Sequence, residues 1–154
     1  MGEKIPRDRS ERTLMETVEV GCAVIHRSGR LLIAQRNLND SYGGYWEFPG
    51  GKRETGETLE ACLAREVFEE LGVRILPEKF FCRHTRELPG RRISLCFYFC
   101  VWTGGEPAAL DCKDFRWVTR SEIGQYEFLP GDLEVLETLK KNWEEYFKAE
   151  GNCR

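Results

Sequence analysis

GKRETGETLEACLAREVFEELGV, running from Gly51 to Val73, constrains the fold more than any other stretch of this chain. Leu59, Leu63, Val67 and Leu71 recur every four residues, with Ala64 and Phe68 beside them. That spacing predicts an amphipathic helix with one face buried. Thr58 is a good N-cap, so the helix is predicted to run to Leu71 and to close at Gly72. Glu66, Glu69 and Glu70 then fall at i, i+3 and i+4 on one face. Carboxylates crowded in this way repel one another unless a cation sits among them. A solvated acidic face is the other reading of such a cluster. Pro49-Gly50-Gly51 leads in as a turn, with backbone open enough to admit phosphate.

Working outward, Val18 to Arg27 reads as a largely buried strand, Ser28-Gly29 as a turn, and Arg30 to Arg36 as the hairpin partner. Asn37 to Gly44 is a polar loop, and Trp46 to Phe48 a short extended piece halted by Pro49. Trp46 and Phe48 share one side of that piece, one suited to core and the other to a pocket. Beyond the helix, Lys79 to Glu87 and Ile93 to Trp102 form a second predicted hairpin around Pro89-Gly90. Phe115 to Val118 is a short strand and Ser121 to Gly124 a helical turn. A last helix opens at Gly131 or Asp132 and runs to about Lys148. Strands on both sides of a central helix, with a helix at the end, predict an α/β domain built on a mixed β-sheet between helices. Residues 1–16 are polar and expected to be flexible, which leaves 17–150 as the domain.

The chain of 154 residues is long enough for one real core. A net charge of −3 gives no basic field for nucleic acid, so an anionic small substrate must be held by metal and a few local cations. No apolar run approaches 18 residues and the N-terminal stretch has no apolar h-region, so no membrane span or secretory signal is expected. The seven cysteines are scattered without a CxxC pair. Reduced thiols in a cytoplasmic protein are the expectation, with a disulfide framework or zinc site as the alternative.

The Gly51–Val73 segment resembles the Nudix box: a glycine, five residues, a glutamate, seven residues, then Arg-Glu-aliphatic-any-Glu-Glu-any-Gly-aliphatic. Gly51, Glu57, Arg65, Glu66, Glu69, Glu70 and Gly72 fill its defined positions. Trp46-Glu47-Phe48-Pro49-Gly50-Gly51-Lys52 is similar to the MutT branch. The resemblance extends loosely from Val18 to Leu139 and implies a Nudix α/β/α sandwich. It also implies a Mg²⁺ cofactor, with Mn²⁺ able to substitute, and cleavage of a nucleoside triphosphate to monophosphate and pyrophosphate. Oxidised nucleotides such as 8-oxo-dGTP are the substrates it suggests, with CTP, dCTP or a modified-cytosine nucleotide as the alternative. A nucleotide sensor that binds without cleaving is the alternative from another class.

Carried over by position, Glu66 is the candidate base, Glu69 and Glu70 are the main metal ligands, and Glu57 assists. Arg65 orients these carboxylates, or contacts phosphate directly. Asp111 falls at a further metal position, with Asp114 as second choice. Gly50, Gly51 and Lys52 are placed for phosphate and Arg36 for the nucleotide. Phe48 matches the base pocket, and Leu88 stands where MutT has a pocket phenylalanine. Asp132 stands where MutT has a base-reading asparagine, and it is also suited to capping the last helix. A monomer or a homodimer fits equally well.

Overall fold

The computed structural model describes residues 16–147. Most of the N-terminal segment expected to be flexible, the end of the last predicted helix and Cys153 lie outside the described residues; Glu16 itself already belongs to the first strand.

Seven strands form one mixed sheet: β1 (Glu16–Arg27), β2 (Arg30–Gln35), β3 (Trp46–Glu47), β4 (Gly50–Lys52), β5 (Arg74–Leu88), β6 (Arg91–Gly104) and β7 (Asp114–Val118). Its path runs β3-β2-β1-β6-β5, with β4 added to β1 and β7 to β2. β1 pairs parallel with β6, from Glu16 against Arg91 to His26 against Val101, while β5 and β6 are antiparallel. The helices are α1 (Leu59–Leu71), α2 (Arg120–Ile123), α3 (Leu133–Lys141) and α4 (Trp143–Tyr146), with a 3₁₀ turn at Pro130–Asp132.

The alternation of β1 and β2 splits their side chains between two cores. Ala23, Ile25, Leu32 and Ala34 pack with Leu63, Val67 and Leu71 of α1. Cys22, Val24, Leu31 and Ile33 pack on the other face with Phe97, Leu139, Trp143 and Phe147. This is the α/β/α sandwich expected from the sequence. Full burial of Leu63 and Leu71 contributes roughly 2 kcal/mol each and holds α1 against the sheet.

The caps of α1 explain its bounds. Thr58 Oγ1 accepts from the Ala61 N–H at 3.0 Å. Gly72 closes the helix at φ 72°, a left-handed conformation natural to glycine. Three expectations need correction. β5 starts at Arg74 and passes through Pro77, because an edge strand with a register shift at Pro77/Lys79 tolerates the missing donor. The last helix breaks at Asn142 instead of continuing. Gly50 and Gly51 are not a free turn but the strand β4, opposite Cys22 and Gly21. A Cβ on Gly50 would lie 1.9 Å from the Gly21 carbonyl oxygen, so this close approach requires glycine. The six described cysteines are free thiols, and no helix among the described residues is long and apolar enough to cross a membrane.

Candidate active site

α1 presents its acidic face beside β4, and one cation organises it. Arg65 Nη2 donates to Glu57 Oε1 at 2.6 Å, and its Nε donates to Glu57 Oε2 at 3.1 Å. Arg65 Nη1 donates to Glu66 Oε2 at 3.0 Å and reaches Glu69 Oε1 at 3.4 Å. This two-point grip holds the Glu57 carboxyl down to about 2 and raises the guanidinium further above its ordinary value. The Lys52 carbonyl accepts the remaining Nη2 contact at 3.3 Å. Arg65 is therefore an orienting residue that spans the helix and its entry loop.

Glu66 sits tightly over β4: a Cβ on Gly51 would come within 2.3 Å of its carboxyl carbon. Burial raises the Glu66 pKa, with Arg65 opposing. Glu70 is more enclosed. Burial pushes its carboxyl up to about 9, helped by the nearby charges of Glu47, Glu66 and Asp111, with the Gly50 amide opposing. Its Oε1 is buried without a hydrogen-bond partner. A buried, unpaired carboxylate oxygen among other carboxylates is costly unless a cation completes it. Hard oxygen donors and this orphaned atom fit a divalent ion such as Mg²⁺. Among the described residues no three acidic, His or Cys side chains converge as a ready metal cluster; Arg65 holds Glu57, Glu66 and Glu69 instead.

A cavity of about 560 Å³ opens beside Glu70, Gly50 and Gly51. Leu88, Ile93 and Leu95 supply an apolar wall, and Phe48, Glu47, Arg86 and Asp132 also line it. The size suits a nucleoside-sized ligand. Trp46 and Phe48 are both buried, but only Phe48 faces the cavity; Trp46 packs edge-on against Tyr126 at 4.8 Å. Asp132 ends the 3₁₀ turn and makes no side-chain cap hydrogen bond. Asp132 thus stands at the N-cap position of α3 without capping it through its side chain. Its Oδ2 accepts instead from the Phe48 N–H at 3.2 Å, and burial pushes its carboxyl up to about 7 against that bond.

The remaining predicted residues are arranged less simply. Arg36 lines the cavity, but its guanidinium is already engaged, with Glu47 Oε1 at 3.1 Å and the Ser41 carbonyl at 2.8 Å. Lys52 and Glu66 line a neighbouring groove with Glu19 and Arg53 rather than the cavity itself. The Gly50 amide is directed at Glu70, not at open space. Asp111 is exposed; its N–H donates to the Glu70 carbonyl at 3.1 Å and its Oδ1 accepts from Asn37 at 3.5 Å. Asp114 is committed elsewhere, to Arg116 at 2.7 Å and the Phe115 N–H at 2.8 Å.

Glu47 was not anticipated. It faces the cavity between two buried aromatics, with a pKa raised by burial and restrained by Arg36. Its position between Trp46 and Phe48 gives its side of the strand, but not that this side is enclosed. Arg86 likewise reads in sequence as an ordinary hairpin charge.

The NUDIX domain model matches residues 15–139. The chain is similar to the CTP pyrophosphohydrolase of Escherichia coli K12, with 36% identity over 81% of this chain and 93% of that protein. It is similar to the 8-oxo-dGTP diphosphatase of Haemophilus influenzae, with 30% identity over 79% of this chain and 90% of that one. The solution structure of the E. coli ORF135 protein superposes with a TM-score of 0.72 and 34% identity, covering 83% and 91% of the two chains. A MutT structure from work on Aliivibrio salmonicida and Vibrio cholerae gives 0.69 and 26%, covering 82% and 99%. With the box filled at every defined position and this match along most of its length, the chain belongs to the Nudix family and is a MutT-like Nudix hydrolase.

Proposed function

We propose that the protein hydrolyses a nucleoside triphosphate to the monophosphate and pyrophosphate, and that oxidised nucleotides such as 8-oxo-dGTP are its substrates. The observation that carries this reading is the adjacency of the nucleoside-sized cavity to Glu70 and β4, one strand away from the Arg65–Glu66 grip. The base occupies the cavity and the phosphates run toward α1 and the Lys52 groove. Glu70 and Glu69, assisted by Glu57 and Asp111, would hold Mg²⁺, which would neutralise phosphate charge and favour deprotonation of water. Glu66 takes the proton of the attacking water, its carboxyl held over β4 by Arg65. Arg65 keeps Glu66 and Glu57 in place.

Asp132, held in place by the Phe48 N–H, reads the base edge. A carboxyl with a pKa of about 7 is half protonated near neutrality. Protonated, it donates and accepts as an amide does, which suits a guanine edge. Ionised, it only accepts, which suits the exocyclic amino group of cytosine or guanine. The second reading, a cytosine nucleotide as substrate, is favoured by this carboxylate and by the CTP-hydrolysing relative. A panel of canonical, oxidised and methylated nucleoside triphosphates, compared by kcat/KM, tests both. Highest turnover on 8-oxo-dGTP supports the first, and highest turnover on CTP or dCTP replaces it with the second. Binding without release of pyrophosphate or phosphate on any member would leave a sensor.

A further inference from the structure

Two non-glycine residues among those described have left-handed backbones, Ser28 at φ 52° and Tyr42 at φ 54°. Ser28 is explained by its place: with Gly29 at φ 78° it forms the two-residue turn of the β1–β2 hairpin. Tyr42 has no such explanation. It lies in the loop between β2 and β3, where a bulky aromatic residue rarely adopts this conformation. Strain of this kind persists where the surroundings enforce it, and it clusters at ligand sites.

The surroundings do enforce it. Arg36 Nε donates to the Ser41 carbonyl at 2.8 Å and Nη2 to Ser41 Oγ at 3.3 Å, immediately before Tyr42. The Tyr42 carbonyl accepts from the Tyr45 N–H at 3.1 Å, and the Gly44 N–H donates to the Arg36 carbonyl at 3.1 Å, immediately after it. Gln35 Nε2 adds a bond to the Gly44 carbonyl at 2.9 Å. The loop is thus pinned on both sides of the strained residue.

What the pinning achieves is an aromatic ring held at the cavity. Tyr42 lines it, yet remains 52% exposed. The other aromatic residue in that lining, Phe48, is 3% exposed and packed on Phe97 and Phe128. The Tyr42 ring has one aromatic neighbour, Tyr45, edge-on at 5.4 Å. That contact takes up at most one of its faces.

We infer that Tyr42 is a substrate-positioning residue whose ring stacks on the nucleobase in the cavity. This rests on the reading that the cavity takes a nucleotide. Stacking is tolerant of base identity because every base has a π face, whereas the Asp132 carboxyl reads a base edge. Affinity and selectivity are therefore divided between two residues on different elements. Tyr42 contributes binding to every nucleotide alike, and Asp132 distinguishes among them.

The test measures binding of CMP and 8-oxo-dGMP to the metal-free protein by calorimetry, alongside kcat and KM on the triphosphates. Tyr42→Gly removes the ring and suits the positive φ, Tyr42→Asn tolerates that φ without a ring, and Tyr42→Phe keeps the ring. The expected result is that Gly and Asn each weaken both monophosphates by roughly ten- to hundredfold, while Phe binds as wild type. KM rises in step, kcat stays level and the ratio between bases is unchanged. Thermal unfolding of all three variants checks that the loop change is local. Unchanged affinity in the Gly and Asn variants overturns the inference, as does a Phe variant as weak as Gly, which would assign the effect to the hydroxyl. A wild type that binds neither monophosphate removes the nucleotide reading of the cavity itself, which is a separate failure.

Discussion

The acidic face of α1 and the cavity beside it are neighbours assembled in opposite ways. Glu57, Arg65, Glu66 and Glu69 come from one short stretch of chain, and their carboxylates are satisfied by one another's counter-ion. The cavity draws Phe48, Arg86 and Asp132 from distant parts of the sequence, and burial governs its polar groups. Helical spacing creates the first site almost unaided, so it can be carried between proteins as a motif. The second exists only when the sheet has closed and the turn at Pro130–Asp132 has docked against β3. On the proposed function, chemistry belongs to the portable part, and choice of substrate to the part that each chain must build anew.

The largest effect expected of this division is on the helix side. Chelation is expected to abolish turnover and added Mg²⁺ or Mn²⁺ to restore it, while metal-free nucleoside monophosphate binding in the cavity persists. Undiminished turnover in excess chelator would sink the metal assignment. Next, Glu66→Gln and Glu70→Gln are each expected to lower kcat by about 10²-fold or more. The two should separate in stability. Glu66→Gln weakens a bond with Arg65, whereas Glu70→Gln removes a buried carboxyl that must keep its proton in the folded, metal-free chain. Metal-free Glu70→Gln should therefore melt at or above the wild-type temperature and Glu66→Gln below it. Equal melting shifts in scanning calorimetry would contradict the contrast.

On the cavity side the effects are smaller and of another kind. Asp132→Asn is expected to alter the ratio of kcat/KM between oxidised guanine and cytosine nucleotides by roughly tenfold to a hundredfold, the scale of one directed hydrogen bond. The effect on kcat with the best substrate should be less. Unchanged ratios across the panel would remove Asp132 from base reading. The smallest effect is on stability against pH. Burial raises the Asp132 pKa from 3.8 to about 7 in the folded chain. Between those values the folded protein keeps a proton that the unfolded chain has released. This contribution is full below about pH 4 and is lost as pH rises through about 7. Asp132→Asn should flatten that fall in Tm by a few degrees. An identical pH profile in the variant would show that the carboxyl titrates normally.

Legibility followed the same division. The bounds of α1, its two caps and the sharing of one face by its glutamates were set by local rules, and the sequence displays them between Thr58 and Gly72. β1 and β2 were readable because each alternates into two cores. β4 was not, since Gly50-Gly51 carries every mark of a turn and becomes a strand only because Gly50, having no side chain, lets its backbone approach Gly21. The early part of β5 was hidden by Pro77, which an edge strand accepts. Glu47 and Arg86 looked like ordinary surface charges because the cavity they line depends on long-range pairing. The role of Arg36 as a strut to Glu47 and Ser41 was invisible for the same reason.

The parallel pairing of β1 with β6 has a consequence for synthesis. His26 leaves the ribosome long before Val101, its register partner, and the whole acidic helix emerges between them. A nascent chain that ends before Arg91 carries the complete Gly51–Val73 motif but lacks β6 and the 3₁₀ turn that bears Asp132. Non-local pairing of this kind forms late and slowly. Competence to act on nucleotides therefore arrives only once β6 and the Asp132 turn have emerged, well after the segment that announces it.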